Sequence, residues 1–272
     1  MNKKADIETV LQRRYDNGGD FWASPDGCLV VGSPFSTLES LLILHELGVD
    51  RDQEVVRGAL DRLLRAWRED GRYRLAPSGT LYPCYTANTV RILCRFGFAD
   101  DSRVQQSLSH LLETQHDDGG WRCMKFTFGR GPETEFSNPG VTLFALDAFR
   151  FTEHLNRNPA LDRAVESLLD HWTVRRPIGP CQFGIGTLFM QVEYPFLRYN
   201  IFSYVYVLSF YEHAKTDDRF LEALEVLRSK VGNDGRVVVE RPNRKLATLS
   251  AFSKGQPSKP ATRRFTEILA NF

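Results

Sequence analysis

Leu111 to Trp121 reads LLETQHDDGGW. Leu111 and Leu112 close an apolar stripe that starts at Val104 and Leu108, the spacing of an amphipathic helix. Asp117, Asp118, Gly119 and Gly120 then stop the helix, and a tryptophan follows at once. Glycine reaches positive φ without strain, so the chain can reverse sharply there. A large aromatic just past such a reversal predicts a ring folded back on the outer layer, with Gln115 free to tie neighbouring helices. The pattern recurs as DNGGDFW before and at Trp22, EDGRY ending at Tyr73 and NDGRV ending at Val237.

Recurrence at this spacing is the mark of a repeat architecture. Four segments precede or flank these turns: DQEVVRGALDRLLRAW, DSRVQQSLSHLLETQ, LDRAVESLLDHW and DDRFLEALEVLRSKV. Each places its apolar residues at i, i+4, i+7 and i+8 on one helical face. DIETVLQRRY near the N-terminus is a shorter relative. Between them lie SPFSTLESLLILHELG, PCYTANTVRILCRFG, NPGVTLFALDAFRF and RYNIFSYVYVLSFYEH, apolar nearly all round and therefore enclosed by protein. KPATRRFTEILANF is the fifth of this kind, made wetter by Arg263 and Arg264. Gly48 and Gly97 suit left-handed caps, and acids at Asp50, Asp52, Asp100, Asp101, Asp162, Asp217 and Asp218 suit the starts of the outer helices. The alternation predicts an all-α fold: an α/α toroid, or barrel, of about five helical hairpins, with apolar helices inside and amphipathic helices outside. Residues 1–272 are expected to form one such domain.

Bulk properties exclude several functions. The chain has 272 residues, 42% hydrophobic and 25% charged, with a net charge of +1. That charge gathers no nucleic acid, and no apolar run is long enough for an integral membrane segment. Five cysteines argue for a reducing compartment, and the N-terminus has no apolar leader region, so the cytoplasm is expected.

QHDDGGW resembles the glutamine–tryptophan repeat of terpenoid cyclases such as squalene–hopene cyclase. The alternation resembles the α/α toroid shared by those cyclases and the β-subunits of protein prenyltransferases. The tail, with LRYNIFSYVYVLSFYE, DDRFLEAL and GQPSKPATRR, is similar to bacterial prenyltransferase/squalene-oxidase-repeat proteins. The resemblance implies a central cavity that holds a hydrophobic, isoprenoid or polycyclic small molecule. The cyclases' Asp-x-Asp-Asp-Thr-Ala acid string is absent, as is Asp-Asp-x-x-Asp. The prenyltransferase zinc motif survives only as Cys84 and Tyr85, with Tyr82 where its aspartate would stand and Asn200 near the place of its histidine.

Inner helices must show one side to the cavity. Tyr82, Tyr85, Asn88, Arg91, Asn138, Arg198, Tyr199 and Asn200 are the candidate ligand contacts, with Ser36, Thr37, Thr86, Thr142 and Arg130 nearby. Aligning Gly48 with Gly97 sets Glu39 opposite Asn88. Glu39 and Asp147 are the candidate catalytic carboxylates, since an acid on an apolar helix either pairs with a cation, here Arg91 or Arg150, or holds a raised pKa. Cys28, Cys84, Cys123 and Cys181 each precede an inner helix and are expected at one end of the ring. Cys84 and Cys123 are the candidate zinc ligands, although no cofactor is otherwise expected. The histidines are expected near helix ends or on polar faces. The connections Arg130–Ser137 and Arg175–Phe196 are placed to cover the cavity mouth. Three functions stay open: an enzyme acting on a hydrophobic small molecule, a non-catalytic ligand-binding toroid, and a zinc-dependent prenyltransferase-like transferase.

Overall fold

The structure is a computed structural model that describes residues 2–123 and 135–272. Those residues are all-helical, with isolated β-bridges but no strand. The outer helices are α1 (Lys3–Gln12), α3 (Glu54–Arg65), α5 (Ser102–Glu113), α8 (Pro159–Val174) and α11 (Asp218–Arg228). The inner helices are α2 (Thr37–Glu46), α4 (Pro83–Arg95), α6 (Pro139–Phe149), α9 (Ile201–Leu208) and α12 (Lys259–Ala270). Two single-turn helices, α7 (Glu153–Asn156) and α10 (Glu212–Lys215), lie in connections. α2 packs on α4, α4 on α6, α6 on α9 and α9 on α12. The chain is thus an α/α toroid of helical hairpins, as the alternation predicts.

The ring closes through polar contacts. The buried Asp6 carboxylate on α1 accepts hydrogen bonds from Ser250 N at 2.7 Å, Ser250 Oγ at 2.8 Å and Ala251 N at 2.9 Å. On the inner layer, Arg264 Nε of α12 lies 2.8 Å from Glu46 Oε2 of α2. Arg263 stays half-exposed beside it, so only one of the two arginines makes α12 wetter.

The turns after α1, α3, α5 and α11 are built alike, whereas the chain leaves α8 at Arg175, with φ 57° and no glycine. Gly18, Gly71, Gly119 and Gly235 take φ of 88°, 80°, 89° and 75°. Trp22, Tyr73, Trp121 and Val237 that follow are fully buried or nearly so. Trp22 Nε1 donates to Val10 O at 3.2 Å, and Trp121 Nε1 donates to Leu111 O at 2.7 Å. Both indoles therefore add a hydrogen bond to a carbonyl in the last turn of the outer helix, where the intrahelical ladder runs out. A threonine on the next inner helix accepts the backbone N–H of the buried residue: Thr86 from Tyr73, Thr142 from Trp121 and Thr262 from Val237. Gln115 Nε2 donates to Ala160 O on α8 at 2.7 Å.

The acid caps differ in part from expectation. Asp101 and Asp217 cap α5 and α11, but Gln53 caps α3 and Asn158 caps α8. Amide side chains present the same acceptor oxygen to free N–H groups, so they serve equally well.

Candidate functional site at the mouth of the toroid

The axis of the ring is filled. Asp147 on α6 lies 2.6 Å from Arg95, 2.7 Å from Arg150 and 3.6 Å from Arg91. Glu46 on α2 lies 3.2 Å from Arg95 and 2.8 Å from Arg264, and accepts a short hydrogen bond from Tyr194. Burial alone would raise both carboxyls, but the surrounding guanidinium groups outweigh it and hold both below their ordinary range. Burial pushes Arg91 down to about 10, and Asp147 pulls it back. The Asp147 carboxyl is therefore ionised at neutral pH and has no proton to donate. Tyr194 and Phe196, from the connection after α8, are inserted among these groups, and Arg91 donates to Phe196 O at 3.0 Å. The connection thus enters the ring rather than only covering it.

Where the inner helices begin, a cavity of about 160 Å³ stays open. Leu38, Leu42, Ile92 and Leu197 form its apolar wall, with Tyr85 beside them. Glu39, Asn88 and Arg91 supply its polar side. Ser36 caps α2 and donates to Glu39 Oε2 at 2.9 Å, while Ser33 donates to Oε1 at 2.8 Å. Arg91 Nε donates to Asn88 Oδ1 at 2.6 Å and its guanidinium stacks 3.9 Å from the Phe144 ring. These bonds fix Arg91 before any ligand arrives.

Ser33 also lines a larger surface cleft of about 890 Å³. Arg198, Arg241, Arg244, Lys245 and Lys254 surround it, against only Glu193 and Glu240. Lys245 Nζ donates to Ser33 O at 2.9 Å, which sets a cation on the shared rim. Glu193 is buried, and burial raises its pKa against the pull of Arg198 and Arg241 at 3.7 and 3.6 Å.

The remaining sequence candidates lie elsewhere. Asn138 and Asn200 are buried caps of α6 and α9, their side chains spent on backbone N–H groups. Thr86 and Thr142 face the outer turns rather than the cavity, and Thr37 Oγ1 donates to Phe21 O. Tyr199 is buried in an aromatic cluster with Phe189 and Tyr204, its hydroxyl 2.9 Å from His171 Nδ1. Tyr82 packs edge-on against Tyr85. Arg130 lies outside the described residues. Cys123 and Cys181 touch at 3.4 Å, and Cys84 adjoins them. Among the described residues, no group of three or more His, Cys, Asp or Glu side chains is arranged to hold a metal ion. Nor, among those residues, is any helix long and apolar enough to cross a membrane. His171 lies near a helix end as expected, in the last turn of α8, but its ring is buried against Tyr199.

No family model matches the chain, and no curated protein matches it in sequence. Solved structures do. A protein from Actinoplanes superposes with a TM-score of 0.53 at 15% identity, over 99% of this chain and 75% of that one. The type II terpene cyclase MstE from Scytonema, in complex with geranylgeranyl dihydroxybenzoate, gives 0.46 at 15%, over 98% and 70%. Salmonella alpha-2-macroglobulin reacted with methylamine gives 0.45 at 15%, over 97% and 16%. The Actinoplanes match is one of fold; the two looser ones bear on neither ligand nor reaction.

Proposed function

We propose that the protein binds a small amphiphilic anion at the mouth of the toroid. The apolar part enters between Leu38, Leu42, Ile92 and Leu197. The polar junction meets Asn88 and Arg91, and the anionic group reaches the basic cleft past Ser33. The observation that carries this is the joining, at Ser33, of a cavity with one apolar wall to a cleft rich in cations. A cavity of about this size accepts a benzene-sized group. A five-carbon isoprenoid unit or a single aromatic ring therefore fits, whereas a polycycle or a twenty-carbon chain does not.

A second reading, an enzyme, rests on Glu39. It is the carboxylate on the cavity wall among the described residues, and two serine hydroxyls hold it in place. A carboxylate set against a bound ligand can move a proton.

Isopentenyl diphosphate, benzoate and geranylgeranyl diphosphate, tested by thermal shift and native mass spectrometry, check the proposal. One of the two small anions is expected to bind, and geranylgeranyl diphosphate is not. Leu197→Trp, which fills the cavity, is expected to weaken binding by about tenfold or more. Binding of none of the probes, or binding untouched by the tryptophan, overturns it. Glu39→Gln separates the two readings: a binding protein keeps its affinity and has no turnover to lose, whereas an enzyme keeps affinity and loses turnover.

A further inference from the structure

Cys123 follows the Trp121 turn, and Cys181 lies in the connection after α8. They are 58 residues apart in sequence, yet their sulfurs touch at 3.4 Å. Both are in the thiol form, and Cys84, in the first turn of α4, adjoins them. Three of the five cysteines thus converge. We propose that Cys123 and Cys181 form a peroxide-sensitive pair that closes reversibly into a disulfide, with Cys84 left as a thiol.

Exposure orders the steps. Cys181 is half-exposed and Cys123 only 2% exposed, so peroxide meets Cys181 first. The Cys181 sulfur takes one peroxide oxygen, which releases water and leaves a sulfenic acid. The Cys123 sulfur then attacks it; the S–S bond forms, the S–O bond breaks, and the hydroxyl leaves as water with the Cys123 proton. Two thiols and one hydrogen peroxide give one disulfide and two waters. Cys84 is the poor competitor, because its contact with Cys123 and its burial push its pKa up and keep it from the thiolate form. The bond ties the turn that seats Trp121 to the connection that delivers Tyr194 and Phe196 into the ring.

Intact protein treated with a small excess of hydrogen peroxide, alkylated and digested without reductant, tests this. The expected product has lost two hydrogens and gives one dithiothreitol-reversible cross-link between the Cys123 and Cys181 peptides. Cys181→Ser removes the cross-link, while Cys84→Ser and Cys28→Ser retain it. Oxidation that leaves Cys123 and Cys181 unlinked, links either to Cys84 instead, or stops at sulfinic acid overturns the pairing. Circular dichroism of Cys181→Ser, unchanged from the parent, excludes loss of fold as the cause of a missing cross-link.

Discussion

His171 shows how burial converts one side chain into a pH response of the whole protein. It sits on α8, 1% exposed, between the Tyr199 hydroxyl at 2.9 Å and the Arg176 carbonyl at 3.2 Å. Burial pushes its pKa down from 6.5 to about 4, and the carbonyl contact only partly opposes this. The unfolded chain binds a proton near pH 6.5, while the folded one does not until near pH 4. Stability from this residue is therefore full above about pH 6.5 and declines as the pH falls toward 4. By pH 5 the loss is expected to be about 2 kcal/mol. Urea denaturation at pH 7 and pH 5 checks it: His171→Gln should lose less stability than the parent over that interval, by about the same amount. An identical pH dependence in the two proteins would place the proton uptake elsewhere. A single sequence conceals this histidine, because Asp170 beside it and Val174 at the helix end give no sign that the ring turns inward onto Tyr199.

At the scale of elements, the recurring unit is an outer helix, a glycine turn, a buried large residue and a threonine on the next inner helix. Trp121 is its fullest form. The indole is 1% exposed, donates to Leu111 O and stacks near Phe149 at 6.2 Å, while its own N–H goes to Thr142. Trp121→Ala removes the fill and the indole's hydrogen bond to Leu111 O, so a loss of about 3–5 kcal/mol is expected in chemical denaturation. A change within about 0.5 kcal/mol, typical of open surface sites, would mean the ring clamps nothing. This unit was largely legible in the sequence, because glycine pairs, acids and apolar spacing are local signals. The roles of its polar members were not. Thr86 and Thr142 sit on apolar helices and suggest a cavity lining, yet each brackets the turn before its own helix, a fold-back that only the packed hairpin displays. The same limit hid the core ion pairs. Asp147 could be matched with Arg91 and Arg150 within reach of sequence reasoning. Arg95, its nearest partner, also reaches Glu46 on α2, a geometry that only the closed ring supplies.

Over the whole molecule, closure decides how stability is shared. In an open helical array each repeat leans only on its neighbours, so damage at one end frays that end. Here the two ends hold each other. Asp6 bridges α1 to Ser250 and Ala251, and Glu46 bridges α2 to Arg264 on α12. Because Arg264, Glu46, Arg95 and Asp147 form one chain of contacts from α12 through α2 and α4 to α6, strain at the seam reaches the far wall. Asp6→Ala removes one carboxyl acceptor and leaves two backbone N–H groups without it. The expected loss is about 1–3 kcal/mol, the range for leaving a buried donor unsatisfied. Native-state hydrogen exchange tells where that loss is felt. In a closed, cooperative ring, protection falls by a similar amount in α4 and α5, across the ring from the seam, as in α1 and α12. If protection drops only in α1 and α12 while α4 and α5 keep theirs, the ring behaves energetically as a linear stack whose ends happen to meet.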